Sequence, residues 1–306
     1  MTEKTVVFGG SGFIGRQVVR LLAKQPGMQI IVPTRDPDQA KLLKPMGAVG
    51  QIVPVTCRLS DDQQVLAALR GATQVVNLIG ILFEPRKHDF AKLHGLWPGR
   101  LGLAAQAVGA RRLVHVSALG AAADSPAAYA RSKAQGEVAL RQALPAAVML
   151  RPSVLFGADD NFLNQFAGLA RWSPFLPLIG GGRTKFQPVF VEDVAAAIMA
   201  ALNRPQASGK IYELGGPQVL SFKEILEYIM ATTGRRRLLL PVPWGLATAM
   251  ARLLQLMPKP LLTVDQVKLL QTDNIVADGA LGLTALGITP TPLATVAPSF
   301  LTPRAA

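Results

Sequence analysis

The sequence has 306 residues, half of them hydrophobic, and its 32 basic and 19 acidic residues give a formal net charge of +13. This length exceeds a typical single domain, so we expect a large α/β unit with a second, smaller lobe. The positive charge indicates an anionic partner or surface. However, the arginines form only two tight clusters, Arg111-Arg112 and Arg235-Arg236-Arg237, without interleaved aromatic residues. The pattern therefore argues against a nucleic-acid partner.

Three further features restrict the class of protein. A single cysteine, Cys57, excludes an internal disulfide framework, and we expect its thiol to lie in the core. The three histidines lack metal-ligand spacing, so no metal site is predicted. The longest apolar stretch, Leu238 to Met257, is interrupted by two prolines and an arginine, so no transmembrane segment is predicted. The first strand pattern begins by Thr5, too early for a leader sequence, which makes the cytoplasm the expected location.

The N-terminal segment carries a glycine motif. A β-branched run ending at Phe8 leads into three glycines spaced three apart, and a helical pattern of apolar residues follows. Gly9 permits a tight turn, Gly12 lets backbone N–H groups approach a phosphate, and Gly15 lets the helix pack closely on the strand. The helix N-terminus would then face the pyrophosphate of a dinucleotide. The predicted cofactor contacts here are Gly9, Ser11, Gly12, Phe13, Ile14, Gly15 and Arg16.

Strand and helix patterns alternate through the first half of the chain, which predicts a Rossmann-type doubly wound parallel sheet, an α/β fold. Predicted strands after the first lie at 29–33, 51–55, 74–78, 112–117 and 147–151. We assign residues 1–151 to an NAD(P)-binding Rossmann domain and residues 152–306 to a smaller substrate or partner lobe, allowing for segments that return to the sheet.

Local signals predict where several elements begin and end. Capping-box patterns predict helix starts at Ser60, Ser221 and Thr263. A helix over 89–108 is expected to be interrupted near Trp97-Pro98-Gly99, and another is predicted over 127–144. In the second lobe we expect a helix at 192–202 and a strand at 210–214. The stretches predicted as loop or mostly irregular chain are Pro174 to Gly182 and the proline-rich tail from Thr289.

Arg35 follows the second strand, twenty residues beyond Gly15, where dinucleotide folds place the residue that contacts the adenosine ribose. An acidic residue there would accept the 2′-hydroxyl of NAD. The guanidinium of Arg35 instead suits a 2′-phosphate, and Arg16 offers a second cation. The predicted cofactor is therefore NADP(H). The alternative is that Arg35 is an ordinary solvated arginine.

Polar residues also follow later strands. Asn77 and Gly80 come after the fourth strand, at the carboxyl edge of the sheet where ligands bind in open α/β folds. We predict that both contact the cofactor, as does Pro152 at the end of the sixth strand.

Ser117, Tyr129 and Lys133 form a candidate catalytic trio. Ser117 ends the fifth strand, and Tyr129 and Lys133 lie four residues apart on one helix face. A nearby lysine cation favours the phenolate of a tyrosine, and the serine hydroxyl could orient a substrate oxygen. Tyr129 and Lys133 are also predicted to contact the cofactor.

Together, the glycine motif, Asn77–Gly80 and the trio resemble the short-chain dehydrogenase/reductase superfamily, of the extended or atypical kind. More specific stretches resemble a family of NADPH-binding accessory subunits of respiratory complex I and their bacterial relatives. These stretches are His115–Leu119, Arg151–Gly157, Asp160–Ala167 and Gln187–Val194. One departure from the superfamily is Arg58-Leu59, where extended members carry an acidic residue that contacts adenine; Asp61 or Asp62 could substitute.

The resemblance implies an NADPH-loaded accessory or assembly component of a quinone-reducing respiratory complex, with complex I or quinone-related membrane proteins as partners. It also leaves open an active NADP-dependent reductase, dehydratase or epimerase acting on a small-molecule substrate, with ubiquinone biosynthesis as one setting. The segment from Arg235 to Pro260, with its arginines, leucines and Trp244, could lie at the inner face of the cytoplasmic membrane. An ordinary strand and helix of the second lobe is the alternative for that segment.

Overall fold

The computed structural model describes residues 3–258 and 260–301. Its strands are β1 (Glu3–Phe8), β2 (Met28–Thr34), β3 (Ile52–Thr56), β4 (Gln74–Asn77), β5 (Arg112–Val116), β6 (Val148–Pro152), β7 (Leu155–Phe156), β8 (Phe175–Ile179), β9 (Lys185–Phe186), β10 (Val189–Phe190), β11 (Ile211–Leu214), β12 (Leu220–Ser221) and β13 (Leu238–Val242). Seven of them form one sheet in the order β11-β6-β5-β4-β1-β2-β3, and every pair in it is parallel. The predicted doubly wound α/β fold is confirmed.

The helices are α1 (Phe13–Ala23), α2 (Pro37–Ala40), α3 (Asp62–Leu69), α4 (Trp97–Ala107), α5 (Ala128–Ala143), α6 (Leu163–Trp172), α7 (Val191–Asn203), α8 (Phe222–Thr232), α9 (Trp244–Leu254), α10 (Val264–Leu269), α11 (Leu293–Val296) and α12 (Pro298–Leu301). A π-helical turn, Ala91–Leu96, runs directly into α4. Short 3₁₀ turns lie at Lys41–Met46, Gly180–Gly182, Pro205–Ala207 and Thr284–Leu286. No helix in the described ranges is long and apolar enough to span a membrane.

The central sheet is covered by apolar packing on both faces, as a parallel sheet requires. Val114 and Val116 of β5 point to the face covered by α1 and α7, where Val18 and Ile198 pack. Leu113 points to the opposite face, with Trp97 and Leu140 of α4 and α5. Cys57 is buried in this second core, as expected.

A third core lies in the second lobe, where Phe162, Phe166, Phe186 and Phe222 contact one another. Three two-stranded sheets accompany it: β7 with β10, β8 with β13, and β9 with β12. β11 and α7 belong to the later half of the chain, yet they pack in the central unit. The division at residue 151 stays a prediction.

Two predicted caps are confirmed and one is displaced. Ser221 and Thr263 each form a capping box, with Glu224 and Gln266 respectively. The prediction at Ser60 is wrong by one residue, because the Asp61 carboxylate accepts the N–H of Gln64 at 3.1 Å and so begins α3.

Other local predictions are corrected. Pro174 to Gly182 is not all loop: β8 pairs in parallel with β13, and Pro177 is tolerated because the small sheet has only edge strands. The expected break near Trp97 is a change from π to α geometry within a continuous helix. In the tail, α11 and α12 bury Leu293 and Leu301 against the third core. The part of the predicted tail at 302–306 lies outside the described residues.

Candidate nucleotide site

The glycine turn between β1 and α1 has the geometry that a dinucleotide cradle needs. Gly9 adopts a φ of +81°, which favours glycine. A Cβ atom on Gly15 would lie 2.2 Å from the Gly9 carbonyl oxygen, so only glycine allows α1 to approach the turn this closely. Gly12 is the N-cap of α1 and supplies no capping side chain. The first N–H groups of α1 are thus left to bind an anion, which fits a pyrophosphate.

The other predicted residues of this turn have defined neighbours. The ring of Phe13 lies 3.0 Å from where a Cβ atom on Gly157 would be, so the turn contacts the chain that follows β7. Ile14 packs against the core under α1, and Ser11 is partly exposed. Arg16 forms an ion pair of 2.8 Å with Asp159, and both side chains remain solvated.

Arg35 is exposed directly after β2, at the carboxyl edge of the sheet. The backbone around it is fixed by the Thr34 hydroxyl, which accepts the Asp36 N–H at 3.2 Å. That Arg35 binds a 2′-phosphate stays a prediction. Asp61 and Asp62 are the two acidic residues proposed to contact adenine, and both have protein partners. Asp61 caps α3, and Asp62 forms an ion pair with Arg100.

Asn77 is fully buried at the end of β4, and its side chain binds protein groups. Its Oδ1 accepts from Trp97 Nε1 at 3.1 Å and from the Ile79 N–H at 3.2 Å. Its Nδ2 donates to His115 Nδ1 at 3.0 Å, because the two donors on Oδ1 fix the amide orientation. Asn77 therefore shapes the loop that follows β4 and leaves the backbone near Gly80 as the group that can approach a nucleotide.

His94 joins this loop to α5, and the sequence patterns did not single it out as a site residue. Its Nε2 accepts the Ile81 N–H at 3.1 Å, and its Nδ1 lies 3.1 Å from the Ser132 hydroxyl. Burial lowers the pKa of His94 to about 2, so the ring is neutral. Gly80 lies against the same cluster, since a Cβ atom there would be 3.4 Å from Lys133 Nζ.

Tyr129 and Lys133 are brought together as predicted, with Lys133 Nζ 5.9 Å from the centroid of the tyrosine ring. Nζ also donates to the Val116 carbonyl at 3.4 Å, next to Ser117. Burial lowers the pKa of Lys133 to about 8 and raises that of Tyr129 to about 12. The shift at Tyr129 is opposite to the one expected from a neighbouring cation, because burial disfavours the phenolate more strongly.

Two buried polar atoms at the end of β5 have no hydrogen-bond partner in the described structure, Ser117 Oγ and His115 Nε2. Because Asn77 donates to Nδ1, the proton of neutral His115 is on Nε2. Unpartnered buried groups are rare and often mark a binding site. They fit the polar nicotinamide end of a dinucleotide. Pro152 is buried nearby, and its carbonyl accepts the Leu119 N–H at 2.9 Å, which holds the chain after Ser117.

The parallel sheet, the uncapped glycine turn and the Tyr–Lys pair at its carboxyl edge define an NAD(P)-binding protein of Rossmann type. Residues 5–215 match the NAD dependent epimerase/dehydratase family, and the chain belongs to that family. No group of three metal-ligating side chains occurs in the part of the chain that the structure describes.

Curated relatives narrow the comparison. The chain is 41% identical to NADH dehydrogenase (ubiquinone) 1 alpha subcomplex subunit 9, mitochondrial, of Arabidopsis thaliana, over 93% of this chain and 73% of that protein. It is 37% identical to the protein of the same name in Rattus norvegicus, over 94% and 76%. The resemblance to complex I subunits is thus confirmed.

Solved structures support the fold. The NADPH-dependent quinone oxidoreductase QOR2 of Escherichia coli, complexed with NADPH, superposes with a TM-score of 0.75 at 20% identity, over 97% of this chain and 99% of that one. The dTDP-glucose 4,6-dehydratase DesIV of Streptomyces venezuelae, with NAD and TYD bound, gives a TM-score of 0.67 at 23% identity, over 78% and 84%.

Proposed function

We propose that this protein binds NADP(H) and serves as an accessory component of a quinone-reducing respiratory complex. The observation that carries the proposal is the similarity, along nearly the whole chain, to subunits named for NADH dehydrogenase (ubiquinone). The uncapped N-terminus of α1 supports the nucleotide part, since its N–H groups suit a pyrophosphate.

Arg35 supports NADP(H) over NAD(H). Arg35 is exposed directly after β2, where a dinucleotide fold puts the residue that contacts the adenosine ribose, and a planar cation there would pair bidentately with a 2′-phosphate. Tyr129 and Lys133 would hold the nicotinamide ribose, and Ser117 Oγ is free to accept or donate a hydrogen bond there. The bound cofactor would supply a hydride.

At neutral pH the Tyr129 phenol and the Lys133 ammonium can both donate hydrogen bonds to a bound nucleotide. With a pKa of about 12 for Tyr129, the phenol keeps its proton at neutral pH, and Lys133, at about 8, is only partly neutralised. A second candidate function is an active NADP-dependent reductase, dehydratase or epimerase. The observation that favours it is the unpartnered hydroxyl of Ser117, which follows Val116, the residue whose carbonyl accepts from Lys133 Nζ.

A docking surface for the partner is available on α9. This helix buries the small residues Ala247 and Ala251 and exposes larger ones outward: Leu246 (54% exposed), Met250 (38%) and Leu253 (71%). These three residues, here called the α9 stripe, lie on one helix face. Exposed apolar surface of this kind marks interaction sites. With the arginines at 235–237, it suits a site at the inner face of the cytoplasmic membrane.

The nucleotide assignment is tested by calorimetric titration of the purified protein with NADPH and NADH. We expect NADPH to bind at least about tenfold tighter, a difference of about 1.4 kcal/mol, and Arg35→Asp to narrow or reverse the gap. The control is Arg141→Asp, which makes the same charge change in the last turn of α5 and should leave the difference between the NADPH and NADH affinities unchanged. Equal affinities in the unaltered protein would remove the NADP(H) assignment.

A further inference from the structure

The helix that carries Tyr129 and Lys133 is capped from the other lobe. α5 begins after Ala127, whose side chain cannot cap it. The cap comes instead from Asp265, which accepts the Ala128 N–H on Oδ1 at 2.6 Å and the Tyr129 N–H on Oδ2 at 2.9 Å. One carboxylate from the C-terminal part of the chain thus satisfies two of the first N–H groups of α5.

Asp265 is itself held firmly. It lies in the first turn of α10, between the two residues of the Thr263–Gln266 capping box. The neighbouring Val264 N–H donates to Gln255 at the end of α9, at 2.9 Å. The carboxylate therefore lies between the N-termini of two helices, both of which favour a negative charge. Asp265 also lies beyond residues 5–215, the part that matches the family.

The capped turn is the one that sets the nicotinamide end of the site. The hydroxyl of Ser132 donates to the Tyr129 carbonyl at 2.8 Å and contacts His94, so the first two turns of α5 form one unit with Lys133. A displacement of the Tyr129 backbone would move the ring from its contacts with Phe90 and His94.

We propose that Asp265 is a positioning residue that makes the C-terminal lobe part of the nicotinamide half of the nucleotide site. The inference rests on the proposed binding of NADP(H). Asp265 would act only through Tyr129 and Lys133, so the adenosine half, formed by the glycine turn and Arg35, would not depend on it.

The experiment compares two ligands in two variants of the full chain. NADPH fills both halves of the site, whereas adenosine 2′,5′-bisphosphate reaches only the adenosine half. Asp265→Asn should weaken NADPH binding about tenfold and change bisphosphate binding less than about twofold. The control is Asp193→Asn, because Asp193 also makes two hydrogen bonds to a distant segment, with the N–H and hydroxyl of Thr291 at 2.7 and 2.9 Å. It should change neither affinity.

Equal weakening of both ligands by Asp265→Asn, or no weakening of either, would overturn the inference and leave Asp265 a structural cap. A second measurement avoids dependence on a folded variant. In the unaltered protein, NADPH should slow amide hydrogen exchange across 263–269 and the bisphosphate should not. Identical protection by the two ligands, or none by NADPH, would also overturn it. If the unaltered protein bound no NADPH at all, the proposed function itself would fall, and this inference with it.

Discussion

The carbonyl oxygen of His94 lies 1.9 Å from the position that a Cβ atom on Gly136 would occupy. This contact brings the π-helical turn Ala91–Leu96 directly onto α5, one turn beyond Lys133. Insertions of π geometry are frequent at functional sites because they reposition side chains. Here the turn places His94 against Ser132 and the Ile81 N–H, next to the proposed nicotinamide end of the site.

Gly136→Ala should therefore be strongly destabilising. The added methyl group would meet the His94 backbone, which cannot move without separating α5 from the π-helical turn, and overpacking of this kind costs about 1–3 kcal/mol. Urea unfolding measures the effect. The control is Gly168→Ala, because a Cβ atom on Gly168 in α6 would meet nothing within 4 Å. That change should be neutral or slightly stabilising. Equal stability of the two variants would contradict the packing described for Gly136.

Stability should fall in acid because of two buried histidines. Burial lowers the pKa of His94 to about 2 and that of His115 to about 3. The unfolded chain takes up a proton on each below about pH 6.5, whereas the folded protein does not. The two neutral histidines therefore contribute fully to the stability of the fold above about pH 6.5. This contribution is lost as the pH falls toward their pKa values in the folded protein.

His94→Gln tests this dependence. Below about pH 6, the variant should take up about one proton fewer on unfolding. The slope of its free energy of unfolding against pH should therefore be smaller by about 1.4 kcal/mol per pH unit. His88→Asn, at an exposed histidine with a φ of 68°, should leave the slope unchanged. Urea unfolding at several pH values measures both. An unchanged slope in His94→Gln would show that His94 takes up a proton in the folded protein.

Catalysis, if present, should require the phenol of Tyr129. Tyr129→Phe should abolish NADPH oxidation with a quinone-like or carbonyl substrate and leave nucleotide binding nearly intact. Lys133→Ala should weaken both NADPH oxidation and nucleotide binding, because the Lys133 Nζ lies beside the Tyr129 ring and the Val116 carbonyl. Tyr228→Phe serves as the control, because it removes a buried tyrosine hydroxyl that has no hydrogen-bond partner among the described residues. Activity that survives Tyr129→Phe would show that the trio is not the catalytic apparatus.

The α9 stripe should be needed for assembly and dispensable for nucleotide binding. Replacement of Leu246, Met250 and Leu253 by glutamine removes exposed apolar surface without opening the core. Membrane fractions should then retain less of the protein at low salt. The control is glutamine at the exposed Leu66 and Leu103, on α3 and α4. Unchanged retention of the stripe variant would place the docking surface elsewhere.

Local patterns predicted the glycine turn and two helix caps well because the residues that form each of them are close in sequence. The glycine turn and the caps at Ser221 and Thr263 each depend on residues within about six positions, and the structure has them as predicted. The sequence offers two equally good N-caps here, Ser60 three residues before Gln63 and Asp61 three residues before Gln64. The structure uses Asp61, whose carboxylate accepts the Gln64 N–H.

Long-range partners explain what the sequence could not supply. β8 exists because Leu238–Val242 pairs with it, about sixty residues later. The Asn77 side chain is occupied by Trp97 and His115, 20 and 38 residues away. Asp265 caps α5 from 136 residues beyond Tyr129. Single-sequence patterns contain no distance between such residues, so these contacts appear only once the fold is known.

The most direct test of the proposed function is affinity purification of the tagged protein from native membranes, with mass spectrometry of both partners and extracted nucleotide. We expect subunits of the quinone-reducing complex in the eluate, co-migration with that complex on a native gel, and NADP(H) in excess of NAD(H). Protein that is wholly soluble at low salt, without complex subunits, would contradict the accessory role and favour the soluble reductase.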